Sequence, residues 1–191
     1  MQMSSFFSAL ALGSAALLAA HPAVAQQKLV PAQSEVQFTA RQMGVPLEGH
    51  CTKFDAQVSF DPAKLATSEI VFTVDTGSAT MGSRETDAEL PKATWFNVPQ
   101  FPQATFQSSA IKALGAGKFE VTGKLSIKGM ARDVVVPVTL VQNGATTMAT
   151  GALPLKRLAF KIGENEWADT SMVADDVQVK FKLALTGVGK L

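Results

Sequence analysis

Tyrosine is absent from this 191-residue chain, cysteine occurs once and histidine twice. A single thiol, Cys51, allows no internal disulfide, so packing alone has to hold the fold. His50 and Cys51 are chain neighbours, and on a strand their side chains would point to opposite faces, which excludes a cooperating dyad. Two such groups also fall short of the three or four ligands that zinc requires. Charge of either sign is scarce in runs: 17 Lys and Arg stand against 16 Asp and Glu. That balance removes the electrostatic case for a nucleic-acid or anionic-membrane partner. Gly115-x-Gly117 is followed by no helix, so it is a turn and not a nucleotide loop. Glu85, Asp87 and Glu89, with Arg84, read as the solvated face of a short helix, and no carboxylate pair is set across a cleft. No enzyme chemistry, no metal site and no cofactor is therefore expected.

What the chain does have begins with a leader. Ser4 to Ala20 is apolar and uncharged, and Ala23-Val24-Ala25 offers a small-x-small cleavage pattern before Gln26. This layout is that of a secretory signal peptide over residues 1–25, without the usual basic residue at its start. The competing reading is an uncleaved anchor, for which the run is short of the roughly 20 residues a spanning helix needs. An exported, periplasmic product is expected, with residues 26–191 forming a single domain.

That domain has a period of two. In Gly123–Val141, Leu125 and Ile127 alternate with Ser126 and Lys128, and Val134, Val136, Val138 and Leu140 fall two apart beyond a turn at Lys128–Asp133. Two alternating runs joined by a Gly-containing turn predict a β-hairpin. The same alternation recurs in 34–40, 47–60, 68–75, 103–114, 145–155 and 177–186, with Arg41–Pro46 read as an irregular turn or bulge. Asn143-Gly144 is a further hairpin signal. The expectation is an all-β fold of about eight antiparallel strands with one or two short helices, either a sandwich or an up-and-down barrel. A barrel of that size has room for side chains or one elongated ligand.

Two stretches break the period. Thr76–Pro102 contains a short helix opened by Ser83, then Trp95, Phe96 and Phe101 among three prolines, and 157–170 contains Phe160, Ile162 and Trp167. Long ordered connections of this kind are often binding loops. The candidate apolar contacts are Phe38, Met43, Phe54, Phe72, Leu90, Trp95, Phe96, Phe101, Phe106, Phe119, Phe160 and Trp167. Arg41, Gln42, Arg84 and Arg157 are candidates for a polar entrance.

The order Ser34-x-Val36-x-Phe38, Phe101-Pro102-x-x-Thr105-Phe106-x-Ser108, Gly123-x-Leu125-x-Ile127-x-Gly129-x-x-Arg132 and Arg157-x-x-Phe160-x-Ile162-Gly163 resembles the YceI family over essentially residues 26–191. The resemblance implies a lipocalin-like barrel that holds a polyisoprenoid or other lipid chain in an apolar tunnel, with isoprenoid quinone as one such cargo and no catalytic residues. It departs from the family pattern at Gln42, where His is frequent, at Cys51, where an aromatic is favoured, and at Trp95, where Phe is usual. The expected function is that of a periplasmic carrier or sequestering protein, with a lipid ligand and transient membrane or membrane-protein contact as its partners. The alternative is a non-catalytic accessory or stress protein of membrane electron transfer, acting through a protein partner and with a solidly packed interior.

Overall fold

The computed structural model describes residues 27–191; the expected leader over 1–25 lies outside the described residues. Eleven strands follow in chain order: β1 (Lys28–Leu29), β2 (Glu35–Gln42), β3 (Val45–Cys51), β4 (Phe54–Ser59), β5 (Glu69–Asp75), β6 (Ala79–Thr80), β7 (Gln103–Gly115), β8 (Lys118–Ile127), β9 (Met130–Asn143), β10 (Thr146–Lys156) and β11 (Asp176–Thr186). One helix, α1 (Arg84–Glu89), stands between β6 and β7. Every pairing is antiparallel, in the order β4-β5-β7-β8-β9-β10-β11-β2-β3-β6, with β1 continuing β2's place beside β11. The sheet curls into a half-barrel around an apolar interior.

The turns explain the extra strands. Met43-Gly44, Ala116-Gly117 and Lys128-Gly129 each have two successive positive φ angles (50° and 81°, 51° and 72°, 48° and 73°). That backbone matches the right-handed twist of the strands it joins. Hence 41–46 is not an irregular bulge but the tight tip of the β2–β3 hairpin. The expected turn over Lys128–Asp133 shrinks to two residues, with Ile127 opposite Met130. The β9–β10 turn is Gly144-Ala145, one residue later than Asn143-Gly144, since Asn143 pairs with Thr146. The run 47–60 is two strands, because Thr52-Lys53 turns a corner held by Thr52 N–H to Ser78 O (3.2 Å) and Asp75 N–H to Lys53 O (3.0 Å).

The ladder does not close on itself. Among the described residues β4 at one end of the order makes no strand pairing with β3 or β6 at the other. The end of β4 is instead tied by a side chain to the segment that leads into β1. Gln27 donates from Nε2 to Phe60 O (2.6 Å) and accepts from Phe60 N–H at Oε1 (2.9 Å). Its amide reproduces the donor and acceptor of one ladder residue.

The inward face is read directly from strand parity. Val177, Val179, Phe181, Leu183 and Leu185 of β11, Ile70, Phe72 and Val74 of β5, and Val136, Val138 and Leu140 of β9 all face the interior. On β7 the parity changes. Ala104 and Phe106 face in, but the register shifts between Ser108 and Ala110, and Ile111 is the next residue inward. A bulge of one residue exchanges the two faces of a strand.

Candidate functional site

The interior is hollow. A cavity of about 740 Å³ runs within the half-barrel, inside the size range of small-molecule sites. Phe38, Phe72, Phe106 and Phe181 point inward yet remain only half-buried. Thr147 is the only sizeable side chain buried completely among the described residues. A solidly packed barrel would bury its inward phenylalanines. This observation argues against the packed-interior alternative.

A repeated device keeps the walls thin. Gly49, Gly123 and Gly151 all occupy inward positions, and a phenylalanine ring covers each: Phe38 over Gly49, Phe106 over Gly123 and Phe181 over Gly151. Phe38 and Gly49 are cross-strand partners, as are Phe181 and Gly151. A Cβ at any of the three would collide with the ring and with a backbone carbonyl, of Thr80, Gln107 or Pro137 respectively. Glycine in a strand interior often marks such a close approach. The rings can lie flat on the sheet, leaving the axis open.

The two irregular connections meet at one end of the cavity. Thr94 O accepts from Gly163 N–H (2.8 Å) and Glu164 N–H (2.9 Å). The indoles of Trp95 and Trp167 stand 5.6 Å apart, tilted by 49°. The β8–β9 turn is packed beneath both. Lys128, 7% exposed, donates to Lys161 O (2.6 Å) and Glu164 Oε2 (2.9 Å), and the Phe101 ring covers Gly129.

Arg157 ties the second connection. It is 3% exposed, and all five of its N–H groups are used. Nε donates to Ala174 O (3.0 Å), Nη1 to Ile162 O and Gly163 O (2.9 Å each), and Nη2 to Trp167 O (2.7 Å) and Val173 O (2.6 Å). Burial pushes its guanidinium below the ordinary value, with Asp175 partly opposing; arginine stays charged in proteins regardless. No donor is left for a ligand. The expected role of Arg157 at a polar entrance is therefore corrected: it borders the cavity as the clamp of the connection.

Of the other expected contacts, Phe38, Phe72, Leu90, Trp95, Phe96, Phe106, Phe119, Phe160 and Trp167 line the cavity, as do Arg41 and Gln42. Four do not. Met43 is 71% exposed at the hairpin tip. Phe54 follows the Thr52-Lys53 corner and packs beside Phe72 (6.0 Å) without reaching the lumen. Phe101 is spent on Gly129. Arg84, the first residue of α1, is exposed to solvent. From the same helix Glu85, Thr86 and Glu89 line the cavity; the sequence pattern had placed the two carboxylates on a solvated face. Asp87 orients them. It accepts from Met81 N–H (2.7 Å) and Thr80 Oγ1 (2.6 Å), and these bonds hold its carboxyl below the ordinary range.

The polar lining residues Arg41, Gln42, Glu85, Thr86 and Glu89 thus come from the end of β2 and from α1, and Arg41 and Glu85 are also exposed. A residue both on the wall and in solvent marks an opening. Gln37, the third such residue, lies further down β2. Cys51 is on the wall as well; burial, with Asp75 adding to it, pushes its thiol up to about 11. It stays protonated and poorly nucleophilic at neutral pH. The described residues contain no cluster of three or more His, Cys, Asp or Glu side chains able to hold a metal.

Trp95 carries one anomaly: its indole N–H is buried with no acceptor. A buried unpaired donor costs about 1–3 kcal/mol. Trp95→Phe should therefore leave the melting temperature unchanged or raise it by a few degrees, as read by thermal unfolding. A clear drop would mean that the larger ring's packing outweighs the orphaned donor.

Comparison with known proteins follows the same lines. A sequence model described as the YceI-like domain matches residues 27–185. A UPF0312 protein of Azotobacter vinelandii is 34% identical over 140 residues, covering 71% of this chain and 72% of its own. The crystal structure of Burkholderia cenocepacia BcnA superposes with a TM-score of 0.79 at 49% identity, covering 82% of this chain and 98% of that one. A polyisoprenoid binding domain from Saccharophagus degradans, implicated in plant cell wall breakdown, has the same fold at 14% identity (TM-score 0.69, covering 84% and 98%).

Proposed function

This chain belongs to the YceI-like family, and we propose that its cavity holds a polyisoprenoid or another long-chain lipid, which the protein carries or sequesters without chemical change. The observation that carries this reading is the wall itself. Nearly every inward position from β2 to β11 is apolar, and the polar lining is concentrated near Arg41, Gln42 and α1. A chain with one polar end matches that gradient: the tail is withdrawn from water while the head stays at the opening. The named activity of the Saccharophagus neighbour points the same way. An isoprenoid quinone satisfies the same requirements. So does a periplasmic place of work, which the apolar stretch before Ala25 supports. No cofactor is required for this role, and no catalytic residue.

The cavity also limits the cargo. At ~30 Å³ for each water-sized group, about 740 Å³ takes up on the order of 25 carbon atoms. Each buried methylene contributes ~0.8 kcal/mol, so about ten suffice for micromolar affinity before ordering costs are met. Affinity should rise with each isoprene unit up to about five units and then level off, because further units stay outside. The measurement is titration with a series of prenyl alcohols of increasing length, followed by intrinsic fluorescence. Both tryptophans of the chain, Trp95 and Trp167, stand on the cavity wall and serve as reporters. Affinity indifferent to chain length, or no binding at any length, would sink the reading.

A further inference from the structure

Met43 is out of place by two separate criteria. Its φ of 50° is left-handed, and the first position of such a two-residue turn favours Asn, Asp or Gly. Its side chain is 71% exposed, the most exposed large hydrophobic among the described residues. Neither backbone preference nor burial favours methionine there.

It is not alone. Val45, 59% exposed, follows across the turn, and Met172, 42% exposed, comes from the second irregular connection. Met43 N–H donates to Met172 O (2.8 Å), which brings the two methionines' backbones together. One residue away, Gln42 and Val173 pair as an isolated bridge, and both line the cavity. On both segments the exposed apolar surface therefore begins where the cavity wall ends. Leu114, Val135 and Val141 are exposed as well, but on β7 and β9, away from this junction.

We propose that the tip formed by Met43, Val45 and Met172 docks into the interface of a lipid bilayer, so that cargo passes between membrane and cavity without crossing water. The proposal rests on the lipid-binding reading above. Three exposed apolar side chains beside a lipid-sized opening suit a shallow, reversible insertion among headgroups and upper acyl chains. Methionine, flexible and polarisable, adapts to such a disordered surface. A bilayer is favoured over a protein partner by continuity: the patch leads into a cavity whose contents would come from that same bilayer.

The test uses residues 26–191 as expressed, with two variants, Met43→Asn and Met43→Asn/Met172→Ser. Asn suits the left-handed position, so Met43→Asn should melt no lower than the parent, which separates docking from misfolding. Flotation with cargo-free vesicles of phosphatidylethanolamine and phosphatidylglycerol reads docking by itself. The parent should float, and the double variant should lose at least tenfold of that binding. Uptake of a C20 prenyl alcohol from the same vesicles should slow by tenfold or more in the double variant. Its affinity for the same alcohol presented on cyclodextrin should not change. Equal flotation and equal uptake by parent and variants would overturn the docking proposal. No uptake from cyclodextrin by any of them would overturn the cargo reading, while flotation still decides the docking.

Discussion

Arg157→Met should lower the melting temperature by about 10–15 °C. Methionine keeps much of the side chain's reach but supplies none of the five donors that serve Ile162, Gly163, Trp167, Val173 and Ala174. Unpaired buried carbonyls cost about 1–3 kcal/mol each, and partial relaxation leaves a net loss of about 4 kcal/mol. In a domain of this size each kcal/mol moves the midpoint by about 2–4 °C. Arg157→Lys should recover less than half of the loss, since an ammonium has only three donors in a different geometry. Differential scanning calorimetry decides: an Arg157→Met midpoint within about 3 °C of the parent would show that the clamp is dispensable. Because the same connection brings Phe160, Ile162, Trp167 and Val173 to the cavity, the Met variant should also bind lipid poorly at temperatures where it is still folded.

The second large effect separates binding from stability in the opposite sense. Ala56 lies on the inward face of β4, opposite Phe72, and is half-buried although it points into the barrel. In a packed core Ala→Phe costs typically 1–3 kcal/mol through overpacking. Beside an open lumen the new ring has room. Ala56→Phe should leave the melting temperature within about 3 °C of the parent and weaken binding of a C20 prenyl alcohol by at least tenfold, because the ring and the chain compete for one volume. Trp95 and Trp167 report the binding and calorimetry the stability. A strongly destabilised variant would mean that the interior is filled, and full-strength binding would mean that the chain lodges elsewhere.

Much of the wall was legible from alternation alone. β11 offers the plainest case: every second residue from Val177 to Leu185 faces the cavity, because an unbroken strand cannot change faces. Where the backbone slips, alternation misleads. Ser108 and Ala110 share a parity with Phe106 in the sequence, but the bulge between them hands the inward position to Ile111. Phe54 and Phe101 are as hydrophobic as Phe38 and Phe106. Their exclusion follows from the Thr52-Lys53 corner and from the β8–β9 turn, contacts distant in sequence that no local pattern encodes. Arg157 reads from the sequence as an entrance residue and is a clamp in the fold, since its acceptors are all backbone carbonyls brought together only by folding. Glu85 and Glu89 line the cavity against expectation because a two-turn helix leaves too little periodicity to tell its faces apart.

The pairing of Phe38 with Gly49, Phe106 with Gly123 and Phe181 with Gly151 bears on how such a chain can diverge. Adding even a methyl group to Gly151 meets both the Phe181 ring and the Pro137 carbonyl, so backbone blocks the glycine from changing even where the ring is lost, while the ring itself is free to shrink. Contacting residues of this kind show strong non-additivity. The lumen is therefore reshaped from the ring side, by smaller side chains in place of Phe38, Phe106 or Phe181, while the glycines and the strand order around them stay as they are.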